Sequence, residues 1–106
     1  MTKTFSYTNT DGQASCLTLS DDTILVLNYE AEFEEPFKTG LTKGELTLPL
    51  KLAFSMRVDD GKKVSFRDWI KGLKFPFKEL GKLESFVGEM FGQEEGKEGE
   101  EEAKNV

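Results

Sequence analysis

A basic segment interleaved with aromatic residues is the part of the sequence best suited to bind a ligand. Residues 57–82 read RVDDGKKVSFRDWIKGLKFPFKELGK and contain eight lysines or arginines and four large aromatic rings. Proteins that hold single-stranded nucleic acid combine cations, which contact phosphates, with aromatic rings, which stack on bases. The composition of this segment therefore favours a single-stranded nucleic-acid site.

The residues expected to form this site include the only tryptophan of the chain. We expect phosphate contacts from the cations and base stacking from the tryptophan, and the candidates are Lys51, Arg57, Lys62, Lys63, Arg67 and Trp69. A competing interpretation is that the rings pack into a core and the lysines only solvate an amphipathic helix. Aromatic residues at helical spacing usually pack inward, which favours the second interpretation.

Enzymatic chemistry is not expected from this composition. The chain has no histidine and one cysteine, so it offers neither a Cys/His metal cluster nor a histidine-assisted nucleophile. It also lacks a phosphate-binding glycine loop and a dinucleotide motif. The acidic pairs Asp21-Asp22, Glu34-Glu35 and Asp59-Asp60 fall at predicted turns, where such residues are common. We therefore expect a binding protein without catalytic residues, metal or cofactor.

Two stretches with a period of two are expected to position the candidate site. Residues 45–58, ELTLPLKLAFSMRV, alternate apolar and polar side chains throughout, and residues 23–33 alternate over most of their length. This period is typical of half-buried strands, so we predict a long curved strand and a central strand. Lys51 and Arg57 would lie on the polar face of the long strand. Pro49 lies on the same face and predicts a bulge or an open edge.

A hairpin is predicted at the start of the chain. Asp11-Gly12 separates the β-prone runs 4–9 and 13–19, and Asp-Gly between such runs is a strong hairpin signal. A two-residue loop would place Cys16 on the face of the aromatic residues of the first strand. A loop that is one residue longer would change the register and move Cys16 to the other face. We expect Cys16 to be a small buried apolar residue.

Two helices are predicted after the strands. Ser65 and Asp68 have the spacing of an N-terminal cap, which predicts a helix over 66–71, although residues 63–66 could instead form a short return strand. Residues 77–91 carry apolar side chains on one broad helical face. Three glycines along the edge of that face, Gly81, Gly88 and Gly92, suggest close approach to the sheet or to another chain.

The elements together predict one α+β domain over residues 1–92. It would contain an antiparallel sheet of about four strands, built from the hairpin, the central strand and the long strand, with the helical segment packed on it. Residues 93–106 contain six acidic and two basic residues and almost no apolar ones, so we expect a disordered acidic tail. This layout resembles that of bacteriophage and bacterial single-stranded-DNA-binding proteins. The resemblance implies that the acidic tail competes with the nucleic acid or recruits a protein partner.

A second class of function uses no nucleic acid. An exposed strand edge and a glycine-lined apolar helix could serve a protein-binding adaptor, an inhibitor or a self-assembling viral structural component that forms a homo-oligomer. No apolar run approaches the roughly 18 residues needed to span a bilayer, and the chain begins without a secretory leader. We therefore expect a soluble, cytoplasmic protein of a cell or of a virus-infected host, without a membrane partner.

Overall fold

The part of the chain that the structure describes folds as a β-hairpin followed by five helices. The computed structural model describes residues 2–58 and 63–91. The elements are β1 (Thr2–Thr8), β2 (Ala14–Ser20), α1 (Ile24–Phe33), α2 (Phe37–Thr42), α3 (Leu48–Met56) and α4 (Phe66–Leu73). A 3-10 turn over Phe77–Glu79 then leads into α5, which is helical over 80–91. The predicted turn at Asp59-Asp60 and the predicted acidic tail lie outside the described residues.

The predicted hairpin is confirmed, with the longer of the two loops. Phe5 pairs with Leu17 in the antiparallel register. The side chain of Asn9 accepts hydrogen bonds from the backbone N–H groups of Asp11 and Gln13, at 2.9 and 3.0 Å, and so holds the loop in place. This register puts the large apolar side chains of both strands on one buried face. Cys16 lies on the opposite face and is exposed, so the expectation that it is buried was wrong.

The predicted four-stranded sheet is wrong. Within residues 2–58 and 63–91 the sheet has two strands, and the one further pairing is an isolated bridge between Leu19 and Arg57. Next to this bridge the backbone N–H of Val58 donates to the carbonyl of Thr18 at 3.0 Å. The broad α+β class holds, but the helices form most of the fold.

The predicted central strand is the helix α1. Leu25 and Tyr29 are buried, Phe33 is half-buried against the core, and the alternate residue Leu27 is 62% exposed. The three inward residues are spaced by four, a spacing that satisfies both a period of two and the helical period of 3.6. The sequence pattern therefore could not separate a strand from a helix at this point.

The predicted long strand is also wrong, because its centre is the helix α3. Leu48, Leu52 and Met56 again follow a spacing of four, and Pro49 fits the first helical turn, where its missing N–H costs no hydrogen bond. Four of the intervening residues, Pro49, Ala53, Phe54 and Ser55, are buried as well, so α3 is enclosed on most sides. Ser55, for example, is buried and its hydroxyl donates to the carbonyl of Lys51 at 2.9 Å.

The predicted cap of α4 is confirmed, and the alternative return strand over 63–66 is not formed. The Ser65 hydroxyl accepts a hydrogen bond from the backbone N–H of Asp68 at 3.2 Å. The helix continues to Leu73, two residues beyond the predicted end, and Lys74 follows it in the left-handed conformation, with φ of 51°. A second hydrogen bond comes from α1, where the Glu32 carboxylate accepts from the backbone N–H of Phe66 at 2.9 Å.

The predicted helix over 77–91 is observed as the 3-10 turn followed by α5. Leu80, Leu83, Val87 and Met90 of α5 are buried, and they join a core that contains Leu19, Tyr29 and Ala53. Gly81 and Gly88 are exposed, and a Cβ at either position would meet no atom within 4 Å. Close approach of these glycines to the sheet is therefore not seen. The other alternative, approach of another chain, stays a prediction.

Candidate interaction surfaces

Lys51 and Arg57, two of the predicted phosphate contacts, are engaged inside the fold. The Lys51 side chain is 15% exposed, forms an ion pair with Glu45 at 2.8 Å and lies over the ring of Phe33 at 4.9 Å. The Arg57 guanidinium lies 4.0 Å from the centre of the Phe54 ring and donates to the Phe54 carbonyl at 2.9 Å. The strand that was to present these two cations on a polar face is absent. Both cations instead pack over aromatic rings, Lys51 over Phe33 and Arg57 over Phe54.

Lys63 and Arg67 are exposed, and with Lys71 they form a surface that we call the basic face of α4. Arg67 and Lys71 lie one helical turn apart on α4, and Lys63 precedes the helix cap. Among the described residues, none of the three side chains has an ion-pair or hydrogen-bond partner. Lys62, the remaining predicted cation, lies outside the described residues.

Trp69, the predicted stacking residue, packs against other aromatic rings. Its ring centre is 5.3 Å from that of Phe54 and 6.4 Å from that of Phe66, and the side chain is half-buried. Phe33 extends this cluster with edge-on contacts to Phe54 and Phe66 at 6.1 and 5.0 Å. The basic face of α4 therefore lies beside rings that already pack on one another.

Glu30 of α1 and Glu35 of the turn after it have structural partners. Glu30 accepts from the backbone N–H of Phe37 at the start of α2, at 2.9 Å. Glu35 accepts a hydrogen bond from the Tyr29 hydroxyl at 2.5 Å and forms an ion pair with Lys43. The Lys43 ammonium and the Tyr29 hydroxyl hold the pKa of the Glu35 carboxyl below its usual range. Burial and the neighbouring Glu35 raise the pKa of Tyr29. These groups fasten α2 to α1.

A polar groove lies where the hairpin approaches the start of α5. Its volume is about 530 Å³ and it is lined by the ends of both strands, by Glu79 and by Lys82. The Glu79 side chain is largely buried and lies 3.6 Å from the exposed Lys82 ammonium. Tyr7 donates from its hydroxyl to the carbonyl of Leu73 at 3.0 Å, and burial raises the pKa of this hydroxyl. The groove is wide open, and its acidic and basic groups already pair with each other.

A second depression is apolar, and we call it the apolar groove. It has a volume of about 150 Å³ and is lined by Leu46, Pro49, Phe77, Leu80, Gly81 and Glu84. Leu46 and Phe77 are each 67% exposed, although both are large apolar residues. Glu84 has no ion-pair or hydrogen-bond partner among the described residues. The groove thus offers solvated apolar surface beside one unpaired carboxylate.

The apolar groove could hardly be predicted from sequence patterns. We placed Phe77 on the inward face of a regular helix, but it lies in a 3-10 turn whose residues follow a different angular spacing from those of α5. Leu46 was assigned to the inward face of a strand that does not form. A lone proline in the first turn of a helix, Pro49, was the one available signal that a helix begins there.

Within residues 2–58 and 63–91 no group of three or more metal-binding side chains comes together. No helix in this part of the chain is both long and apolar enough to cross a membrane. No protein-family model, curated protein or solved structure matches the chain.

Proposed function

We propose that this protein is a non-enzymatic protein-binding module that receives an amphipathic helix of a partner protein in the apolar groove. The observation that carries the proposal is the exposure of Leu46 and Phe77 in one depression. Burial of apolar surface contributes about 25 cal/mol per Å², so covering these two side chains would add on the order of 1–2 kcal/mol each to binding. The single cysteine of the chain is consistent with a cytosolic setting.

The shape and charge of the groove indicate the chemistry of the partner. A volume of about 150 Å³ is comparable to cavities that hold a single benzene ring, so one large apolar side chain would fill it. The walls come from the start of α3 and the start of α5, and a groove between helices fits a third helix. The unpaired Glu84 favours a lysine or arginine beside the apolar anchor. Segment 93–106 of the chain itself does not fit, because it is acidic and its apolar residues are only Ala103 and Val106.

Selection from a peptide library tests this proposal. The probe is a library of helical peptides with one fixed apolar stripe and randomised flanking positions, selected for binding to the full chain. We expect enrichment of peptides with a Phe, Leu or Trp anchor and a Lys or Arg at one flank. An exposed ion pair with Glu84 would contribute about 0.2–1 kcal/mol, so Glu84→Gln should weaken the selected peptides by up to about fivefold.

A pair of variants separates binding in the groove from binding elsewhere. Phe77→Asp places a charge in the groove and should abolish binding of the selected peptides, whereas Leu27→Asp changes an equally exposed apolar residue on α1 and should leave it intact. Circular dichroism of both variants should match that of the unmodified chain. The proposal is wrong if no peptide is enriched, or if the enriched peptides bind the Phe77→Asp variant with unchanged affinity.

Single-stranded nucleic acid is a second candidate ligand, supported by the unpaired cations of the basic face of α4. The test is the fluorescence anisotropy of a labelled oligodeoxythymidine titrated with the full chain at two salt concentrations. The logarithm of the affinity should fall with the logarithm of the salt concentration, with a slope of about −0.7 for each phosphate contacted. Because Trp69 packs on Phe54, its fluorescence should respond little to the oligonucleotide.

Charge reversal identifies the surface in that experiment. The double change Arg67→Glu and Lys71→Glu should weaken binding and lower the salt slope, because it removes two phosphate contacts. Lys38→Glu is the matched control, since Lys38 is an exposed cation on α2. Equal affinities for the double variant and the control would contradict this second candidate.

A further inference from the structure

The polar groove contains a carboxylate that lacks the partners expected of a buried charge. Glu79 is only 8% exposed, and its side chain has no hydrogen bond with any described residue. Its ion pair with Lys82 has an N–O distance of 3.6 Å, which is longer than a hydrogen bond. The Lys82 side chain is 76% exposed, so water screens the pair further. Burying a charge is costly unless it is paired and hydrogen-bonded, so the fold alone does not account for Glu79.

The usual local role of a glutamate at this position is excluded by a neighbouring proline. Glu79 is the third residue of the 3-10 turn that Pro76 caps. At this position a glutamate commonly accepts a hydrogen bond from the backbone N–H of the capping residue. Proline has no N–H, so this bond cannot form. The start of a helix favours an acidic side chain, but a solvated one would serve equally well.

The Glu79 carboxylate opens into the polar groove. Among the described residues, every fully buried side-chain nitrogen or oxygen has a hydrogen-bond partner. The Glu79 oxygens have no such partner, so they keep contact with solvent, and Glu79 lines the groove of about 530 Å³. A volume of this size is typical of sites for small molecules. The carboxylate is therefore placed to accept hydrogen bonds from a molecule in the groove.

The other lining residues indicate the charge of that molecule. Lys82 is the only other charged residue that lines the groove, and the rest include the hydroxyl-bearing Ser6, Tyr7, Thr8 and Ser15. A ligand ammonium group that approaches Glu79 is repelled by the Lys82 ammonium. A ligand that also carries a carboxylate turns this repulsion into a second ion pair, because lysine has a long flexible side chain. The groove therefore favours a small zwitterion over a simple amine.

We infer that the polar groove binds a free amino acid, whose ammonium group donates to Glu79 and whose carboxylate pairs with Lys82. The ends of β1 and β2 form the remaining wall of this site. The site shares no lining residue with the apolar groove, so the inference does not depend on peptide binding there. Because the polar groove is open to water, we expect dissociation constants in the millimolar range.

Amide chemical shifts of the full, isotope-labelled chain, titrated with the common amino acids, test this inference. We expect saturable shift changes at Ser6, Thr8, Cys16 and Lys82, and none at Leu46, which reports on the apolar groove. The best ligand is then compared with its amide, which lacks the carboxylate, and with its N-acetyl derivative, which lacks the ammonium group. Both derivatives should bind more weakly, and the N-acetyl derivative should bind the more weakly of the two because it loses the contact with Glu79.

Two variants assign the two charges of the ligand. Glu79→Gln should weaken binding by about tenfold or more, because a hydrogen bond between charged groups is lost. Lys82→Gln should weaken it by up to about fivefold, because its ion pair is exposed. The matched controls are Glu89→Gln and Lys78→Gln, which change exposed residues outside the groove and should leave affinity unchanged. Glu79→Gln should not lower the melting temperature, because it removes a poorly compensated buried charge.

The inference is overturned if no amino acid shifts the groove amides at millimolar concentrations, or if Glu79→Gln binds as tightly as the unmodified chain. Equal affinities of the amino acid and its two derivatives would also overturn it, and this comparison decides the case if Glu79→Gln fails to fold. Shift changes at Leu46 in place of the groove amides would contradict it as well, because the ligand would then occupy the apolar groove.

Discussion

Two groups of large apolar side chains in this protein have opposite environments. The ring cluster around α3, formed by Phe33, Phe54, Phe66 and Trp69, packs edge to face between α1 and α4. The apolar groove, by contrast, leaves Phe77 and Leu46 two-thirds exposed. Side chains of the first group stabilise the fold, whereas those of the groove leave apolar surface in contact with water. An aromatic residue near a cation is therefore not by itself evidence for a stacking site, since here the rings beside the basic residues pack on other rings.

The largest expected effect is a difference in unfolding free energy between a variant of the ring cluster and a variant of the apolar groove. Phe54 is 4% exposed, so Phe54→Ala should lower the free energy of unfolding by about 3–5 kcal/mol, through lost burial and the cavity that remains. Phe77→Ala should change it by less than about 0.5 kcal/mol, because Phe77 is already exposed. Urea denaturation of both variants measures the difference. Similar costs at the two positions would contradict the assignment of Phe77 to a solvated groove.

The next effect concerns the close contact between α1 and α2. A Cβ on the buried Gly40 would lie 1.9 Å from the Tyr29 hydroxyl oxygen, so Gly40→Ala should destabilise the protein by about 1–3 kcal/mol. Gly88→Ala is the matched control, because nothing lies within 4 Å of its Cβ position in α5. This control should stabilise the protein by up to about 1 kcal/mol. A Gly40→Ala variant as stable as the control would mean that α2 does not pack on Tyr29 as described.

A smaller effect is expected at the cap of α4, which carries Trp69 into the ring cluster. Ser65→Ala removes the hydrogen bond to the Asp68 N–H and should cost about 1 kcal/mol. Ser85→Ala, at an exposed position of α5, should cost nothing measurable. Thermal denaturation followed by circular dichroism compares the two. An unchanged melting temperature for Ser65→Ala would refute the cap.

The smallest expected effect is a pH dependence of protein stability that arises at the contact between α1 and α2. The pKa of Glu35 is lowered in the fold by Lys43 and Tyr29, so its carboxylate contributes stability above the unfolded pKa of about 4.3. This contribution declines as the pH falls below that value toward the folded pKa. Stability measured between about pH 3 and pH 7 should therefore fall less steeply on acidification in Glu35→Gln than in the unmodified chain. Parallel curves would contradict the proposed role of Glu35.

These comparisons also explain which features could be read from the sequence. The Ser65 cap and the Asp11-Gly12 hairpin were predicted correctly because each depends on a few neighbouring residues and on local hydrogen bonds. The strands over 23–33 and 45–58 were wrong because residues spaced by four, such as Leu48, Leu52 and Met56, fit a strand and a helix equally well. Only tertiary burial, which places α3 inside the protein on most sides, decides between them.

Of the two candidate surfaces, the basic face of α4 was partly predicted from the sequence and the apolar groove was not. The exposed cations of α4 follow from a helix whose polar face is basic, and two of them, Lys63 and Arg67, were named from the sequence. Lys51 and Arg57 depended on the strand that does not form. The apolar groove was missed for two reasons. Phe77 lies in the 3-10 turn before α5 and not in the regular helix, and Leu46, which lines the same groove, is distant in sequence.

NMR chemical-shift mapping of a library-selected peptide on the full, isotope-labelled chain locates the docking site residue by residue. We expect the largest amide shift changes on peptide addition at Leu46, Phe77, Leu80 and Gly81, and we expect them to vanish in Phe77→Asp. Changes centred on the hairpin or on the basic face of α4, with the groove residues unaffected, would contradict the claim that the apolar groove is the docking site.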